Sequence, residues 1–295
     1  MLWNMGRPPP ALVFSDVRRR FDRIAAAFDD ADFIHRATFD ELLQRLSPVV
    51  IEPSHVLDLG CASGTGSKQL ARRFRRSHVI SLDASFAMMQ QARKKRSLLR
   101  KTAVLQGDAS RIPLMSGSID LVFANMLLPW IDDHPACFAE ISRILSRDGV
   151  FAFATFGPDS LSEIREVWHA IDEDWHVNAY PDMHDIGDAL VRAGLRDPVL
   201  DVDHLTVTYR DTGALYQDLT RAGARNCLRG RRRTLTGKKR FKAMDDLLAA
   251  RMADDVLSLK LELVYGHAWG GGPRSPDGEF RFDPSQIQRR RRVRG

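Results

Sequence analysis

Apolar positions in this chain first recur with helical spacing and then gather into short runs. Residues 16–46 carry Phe21, Ile24, Ala25 and Phe28, then Phe39, Leu42, Leu43 and Leu46, at three- and four-residue intervals that predict a helical N-terminal region. Short apolar runs follow at 55–59, 78–82, 103–106, 119–124 and 150–155, separated by helical stretches such as 67–74. Strands alternating with helices predict a parallel sheet covered on both faces. Gly117 and Arg147-Asp148-Gly149 place loop signals just before the fourth and fifth runs.

The second half reads differently. Residues 160–172 predict a helix, 175–181 an irregular segment, and 185–193 a helix stopped by Gly194. Two more strands are predicted at 199–209 and 257–265, the latter alternating through Leu257, Leu259, Leu261 and Leu263. Between them, 212–255 reads as a helical, basic cap over the sheet. No internal repeat is visible. Residues 1–15 and the Gly-, Pro- and Arg-rich residues 270–295 read as flexible ends around one domain spanning 16–269.

Composition narrows this little. Of 295 residues, 44% are hydrophobic and 28% charged, as in ordinary globular domains. No apolar run approaches the roughly 20 residues that cross a bilayer, and no membrane partner is expected. The proline-rich start lacks a signal-peptide core. Cys61, Cys137 and Cys227 lie far apart without metal-ligand spacing, which suits a cytoplasmic location and no disulfide framework or metal. The net charge of +6 is uneven, with Arg229-Gly230-Arg231-Arg232-Arg233, Lys238-Lys239-Arg240 and a terminal run from Arg289 to Arg294. These read either as a solvated face and tail or as a dock for an acidic partner, nucleic acid or an acidic carrier protein. Aromatic residues are not interleaved as on a base-stacking surface, so nucleic acid is the less expected partner.

Candidate chemistry gathers around Asp58-Leu59-Gly60-Cys61-Ala62-Ser63-Gly64-Thr65-Gly66. Small residues between a strand and a helix let backbone approach a ligand, and the helix start offers unpaired N–H groups. Asp83 ends the next run at a spacing suited to a ribose diol. That much also fits a nicotinamide dinucleotide. Asp58 favours adenosyl-methionine instead, because a carboxylate disfavours pyrophosphate but suits an ammonium, directly or through water. Asp108, in Gln106-Gly107-Asp108-Ala109, sits where an adenine amino group needs an acceptor, with the Ala109 N–H against the ring. Asp58, Asp83, Asp108 and Asn125 all fall at strand carboxyl ends, where open α/β sheets bind ligands. Gly60, Ala62 and Gly64 would pass beside the methionine portion, and Asn125 beside the reacting methyl. Trp130 reads either as a packing residue or as an acceptor-site wall. The histidines do not pair with thiols or one another at triad or zinc spacing.

This constellation resembles the class I S-adenosylmethionine-dependent methyltransferases. A narrower resemblance spans about residues 17–269. Thr155-Phe156-Gly157-Pro158-Asp159-Ser160-Leu161-Ser162-Glu163-Ile164-Arg165 is similar to the segment after the fifth strand in the malonyl-acyl carrier protein O-methyltransferases of biotin synthesis. So is Met183-His184-Asp185-Ile186-Gly187-Asp188-Ala189-Leu190-Val191-Arg192-Ala193-Gly194. Leu205-Thr206-Val207-Thr208-Tyr209, Ala222-Gly223-Ala224-Arg225-Asn226, Leu235-Thr236-Gly237 and Val264-Tyr265-Gly266-His267-Ala268-Trp269 extend the match. The resemblance implies a doubly wound, mostly parallel seven-stranded sheet, S-adenosylmethionine as methyl donor and a malonyl carboxylate as acceptor. A malonyl carboxylate is ionised near pH 7, so no general base is needed.

On that resemblance, Arg165 is the first candidate to hold the carboxylate, and His184 is a further acceptor-side candidate. The basic segment 225–240 would suit an acidic carrier protein. Phe28 stands where the family's N-terminal helix commonly carries a tyrosine, and Ala62 where many methyltransferases have glycine. Rival readings are methylation of another small acid, a protein-arginine hydroxylase that assists respiratory complex I assembly, or an RNA-associated scaffold. The hydroxylase would need an iron site, for which no two-histidine, one-carboxylate spacing is evident.

Overall fold

A computed structural model describes residues 10–271 apart from 97–99, 233 and 235. The expected C-terminal tail beyond residue 271, with Arg289 to Arg294, lies outside the described residues, as do Arg233 and Leu235 from the basic segment and the resemblance blocks. Nine α-helices surround one seven-stranded sheet among the described residues. In chain order the elements are α1 (Phe14–Ile24), α2 (Phe33–Arg45), β1 (His55–Leu59), α3 (Thr65–Arg73), β2 (His78–Asp83), α4 (Phe86–Lys95), β3 (Thr102–Gln106), β4 (Ile119–Asn125), α5 (His134–Ile144) and β5 (Leu145–Phe156). Then come α6 (Ser162–His169), α7 (Met183–Arg192), β6 (Arg196–Tyr209), α8 (Thr212–Arg221), α9 (Lys238–Ala249) and β7 (Leu257–Trp269).

The strand order is β3-β2-β1-β4-β5-β7-β6. Pairs among β1 to β5 are parallel, and β7 inserts antiparallel between β5 and β6. The order reverses between β1 and β4, so a crevice opens past their carboxyl ends. One sheet face buries Leu57, Leu59, Phe151 and Phe153 beneath α5 and α7; the other buries Val56, Leu121 and Phe123 beneath Phe39 of α2 and Leu70 of α3. Each fully buried Leu or Phe side chain contributes about 1.5–3 kcal/mol. The apolar runs are near-continuous because both faces are covered. Side-chain caps start several helices: Ser85 accepts from Met88 N at 3.1 Å, Asp133 from Ala136 N at 2.9 Å and Asp211 from Ala214 N at 2.7 Å.

Four expectations change. The helical region 16–46 breaks into α1, a 3-10 turn Phe28–Asp30 and α2, because Phe28 turns inward to pack with Cys61, Met88 and Met89. The N-terminal stretch is engaged from residue 11 onward: Leu12 bridges Leu228, and the Ala11 carbonyl accepts from Arg229 N at 2.6 Å. Among the described residues the cap is helical only in α8 and α9; between them Gly223 packs against Ile24 and Phe21 of α1. β7 also runs four residues past its predicted end at 265, to Trp269, and is buried on both faces from Leu263 to Gly266.

Candidate cofactor and acceptor site

Two adjoining cavities occupy the crevice. The larger, about 700 Å³ of empty space including its open mouth, runs from Gly107, Asp108 and Ala109 past Asp83 to Phe21, Trp130 and Ile131. That is room for a small-molecule ligand. The smaller lies over the β1–α3 loop and is walled by Asp58, Ser63, Thr65 and Gly66 on one side and by His35, Arg36 and Phe39 of α2 on the other. Phe28, His35, Gly60, Ala62 and Asn125 line both, and so mark the junction.

Backbone strain shapes the loop. Gly60 has φ +76°, and a Cβ there would meet Leu127 Cδ1 at 2.9 Å. Ala62 adopts φ +44°, a left-handed conformation that explains why glycine is the ordinary residue at such a position. Gly64, at φ +82°, begins α3 and abuts Ala92 of α4 at 2.8 Å from a notional Cβ. It lines neither cavity, and its conformation serves the turn into α3.

The acidic residues are held by their neighbours. Asp58 is buried and accepts from Ser67 Oγ at 2.5 Å; burial pushes its carboxyl up to about 7. Asp83 accepts from Ala62 N at 3.0 Å and Ser85 N at 2.8 Å, and burial raises its pKa. Asp108 orders its own turn by accepting from Ser110 N at 2.8 Å. Asn125 Nδ2 donates to the His35 carbonyl at 2.8 Å, whereas Asn125 Oδ1 and His35 Nδ1 are enclosed without protein partners. Buried polar atoms left unpaired are costly, and two of them flank this cavity junction.

α1 roofs the larger cavity with Phe14, Val17, Arg18 and Phe21, one face of a helix. Polar clasps hold this roof down. Asp22 accepts from Ser85 Oγ at 2.6 Å and Ala87 N at 3.1 Å, Asp29 meets Ser63 Oγ at 2.5 Å and Lys95, and Asp16 pairs with Arg231 at 2.5 Å.

The sequence candidates separate accordingly. Asp58, Gly60, Ala62, Asp83, Asp108, Ala109, Asn125, Phe28 and Trp130 converge on the cavities. Trp130 meets Phe21 edge-on at 5.1 Å, so it both packs and forms wall. Arg165 lines neither cavity; its guanidinium donates to the carbonyls of Pro158 at 3.2 Å and Ser160 at 2.9 Å, bracing the turn before α6. His184 is exposed at the start of α7 and sits 2.6 Å from the Asp182 carboxylate. Arg18 and His35 escaped the sequence reading. The helical period did place Arg18 one turn before Phe21, but only tertiary packing reveals that this face roofs a cavity.

The sheet order, with one antiparallel strand inserted next to the edge, and carboxylates at the end of β2 and just past β3 beside a small-residue loop define a Rossmann-like methyltransferase. A family profile described as a methyltransferase domain matches residues 57–153. Malonyl-[acyl-carrier protein] O-methyltransferase of Halorhodospira halophila is 38% identical over 282 residues, covering 94% of this chain and 96% of the relative. The protein of the same name from Methylovorus is 40% identical over 283 residues, covering 93% and 94%. Among solved structures, YcgJ from Bacillus subtilis matches with TM-score 0.57 at 14% identity over 79% of this chain and 98% of that one. An SAM-dependent methyltransferase from Thermotoga maritima matches with TM-score 0.52 at 17% identity over 86% and 99%. The chain belongs to the malonyl-[acyl-carrier protein] O-methyltransferase family.

Proposed function

We propose that this protein transfers a methyl group from S-adenosylmethionine to the free carboxyl of a malonyl thioester borne by acyl carrier protein. Near-full-length similarity to relatives of that name carries the reading. The cavity supports it with carboxylates at one end and aromatic residues beside Arg18 at the other.

Asp83 would accept from the ribose hydroxyls, Asp108 from the adenine amino group with the Ala109 N–H on the ring, and Asp58 would face the ammonium. When bound, S-adenosylmethionine supplies an electrophilic methyl carbon, and its transfer to a carboxylate oxygen breaks the carbon–sulfur bond to leave a neutral thioether and a neutral ester. The chain contributes alignment and shielding from water, effects worth several kcal/mol. Arg18, the lysine or arginine on the wall of the larger cavity among the described residues, supplies a favourable field for an anionic acceptor at the mouth, a place that Arg165 does not occupy. The ester masks a charge, which suits an early step toward pimeloyl and biotin synthesis.

The carrier would dock on the cap and the segment before it. Arg231, Arg232 and Arg240 are committed to Asp16, Asp174 and Asp172, whereas Arg225, Arg229, Lys238 and Lys239 are exposed. These four leave exposed positive charge on the cap that would suit an acidic partner. A cytoplasmic setting is supported by the unpaired, buried Cys61, Cys137 and Cys227. No helix among the described residues is long and apolar enough to cross a membrane. Methyl-labelled S-adenosylmethionine tests the reaction: label should enter malonyl-acyl carrier protein and not acetyl-acyl carrier protein. Equal labelling of both, or of neither while the cofactor binds, would overturn it.

A further inference from the structure

Within the reading above, the reacting methyl must lie where the cavity holding the adenosine end meets the cavity holding the methionine end. Five residues line both: Phe28, His35, Gly60, Ala62 and Asn125. An acceptor carboxylate arriving there needs a hydrogen-bond donor to orient it, because the attacking oxygen must lie in line with the carbon–sulfur bond. Most donors at the junction are already engaged. Gly60 N donates to the Leu82 carbonyl at 2.8 Å, Ala62 N to Asp83 Oδ2 at 3.0 Å, and Asn125 Nδ2 to the His35 carbonyl at 2.8 Å. The Phe28 ring carries no hydroxyl. The His35 imidazole remains.

We propose that His35 is an acceptor-binding residue whose imidazole N–H holds one oxygen of the malonyl carboxylate at the cavity junction. Three features prepare it for this. His35 lies in the first turn of α2, and its carbonyl is pinned by Asn125, which fixes the backbone against the end of β4. Its ring packs edge-on against Phe28, with centroids 5.1 Å apart, which sets the ring plane. Its Nδ1 is enclosed by protein, so the ring nitrogen left to donate into the cavities that His35 lines is Nε2. Burial lowers its pKa to about 4, so the ring is a neutral donor at working pH rather than a fixed cation. No covalent step passes through it. The ring orients one carboxylate oxygen and leaves the other to attack. Esterification removes the carboxylate charge, and a charge-assisted hydrogen bond becomes an ordinary one, so the contact weakens in the product.

The test compares His35→Leu with His35→Gln, which keeps a donor. His35→Leu should lower kcat/KM for malonyl-acyl carrier protein about tenfold or more, the usual cost of losing a hydrogen bond to a charged group. His35→Gln should recover most of it. Calorimetric affinity for S-adenosylhomocysteine should stay within about twofold in both, by the same argument that the lost bond serves the acceptor. A fall in S-adenosylhomocysteine affinity that accounts for the whole loss, or an unchanged kcat/KM in His35→Leu, would overturn the assignment. Should His35→Leu fail to fold, the wild-type protein serves. Its His35 ring-nitrogen resonances should shift when malonyl-coenzyme A is added to the S-adenosylhomocysteine complex; a shift with S-adenosylhomocysteine alone, and none with the thioester, would contradict the proposal. If wild-type protein makes no malonyl ester, the functional reading itself fails, which is distinct from failure of the His35 assignment.

Discussion

Ala62 donates its backbone N–H to Asp83 Oδ2 at 3.0 Å, tying the loop after β1 to the carboxylate that ends β2. One bond thus fixes both the strained loop and the direction of the carboxylate. Asp83→Ala should therefore weaken S-adenosylhomocysteine binding by roughly tenfold or more, from loss of charge-assisted bonds and of loop order. Isothermal titration checks this; unchanged affinity would refute the ribose contact.

Ala62 itself sits at φ +44°. A left-handed conformation costs an L-residue roughly 1–2 kcal/mol, partly offset by the greater unfolded-state freedom of glycine. Ala62→Gly should fold with a melting temperature equal to or above that of the parent and retain cofactor affinity. A clear drop in thermal stability would show that the alanine methyl group packs too well to lose.

Asp58 gives a pH signature. Its folded pKa, about 7, lies above the value of an unfolded aspartate. The folded state therefore binds more protons between those values, and this group's contribution to stability declines as pH rises from about 4 to about 7. Asp58→Asn should accordingly stabilise the cofactor-free protein more at pH 8 than at pH 5, as measured by thermal melts. Because an ammonium ligand favours the carboxylate, wild-type affinity for S-adenosylhomocysteine should rise with pH toward neutrality, and Asp58→Asn should flatten that rise. A pH-independent stability difference would contradict the buried-carboxylate account.

The exposed positive charge on the cap predicts salt-sensitive kinetics. Charge reversal at Arg229, Lys238 and Lys239 together should raise KM for malonyl-acyl carrier protein several-fold at low ionic strength, with less effect near 1 M salt. KM for malonyl-pantetheine, which lacks a carrier, should barely move. Equal effects on both substrates would place the charges at the acceptor rather than at a docking surface.

Much of the cavity's carboxylate end was legible in the sequence because its signals are local. Asp58, Gly60, Ala62, Asp83 and Asp108 sit at strand ends whose spacing the chain displays directly. The end roofed by α1 and α2 was not, because it is assembled by those helices folding over the sheet. Nothing local reveals that Asp22 bonds Ser85, that Asp29 bonds Ser63, or that His35 thereby reaches the cavity junction. Arg165 attracted attention by following β5, yet its guanidinium turns to the Pro158 and Ser160 carbonyls. The cap breaks between α8 and α9 for a similar reason: contact of Gly223 with Ile24 and Phe21 overrides the helical pattern.

The central claim is carboxyl methylation of a carrier-bound malonyl group. Intact mass analysis of malonyl-acyl carrier protein after incubation with the protein and S-adenosylmethionine tests it most directly. The account predicts a gain of exactly one methyl group on the malonyl moiety, reversed by ester hydrolysis; no gain, or a methyl group on the carrier polypeptide, in a reaction where cofactor binding is demonstrated, would contradict it.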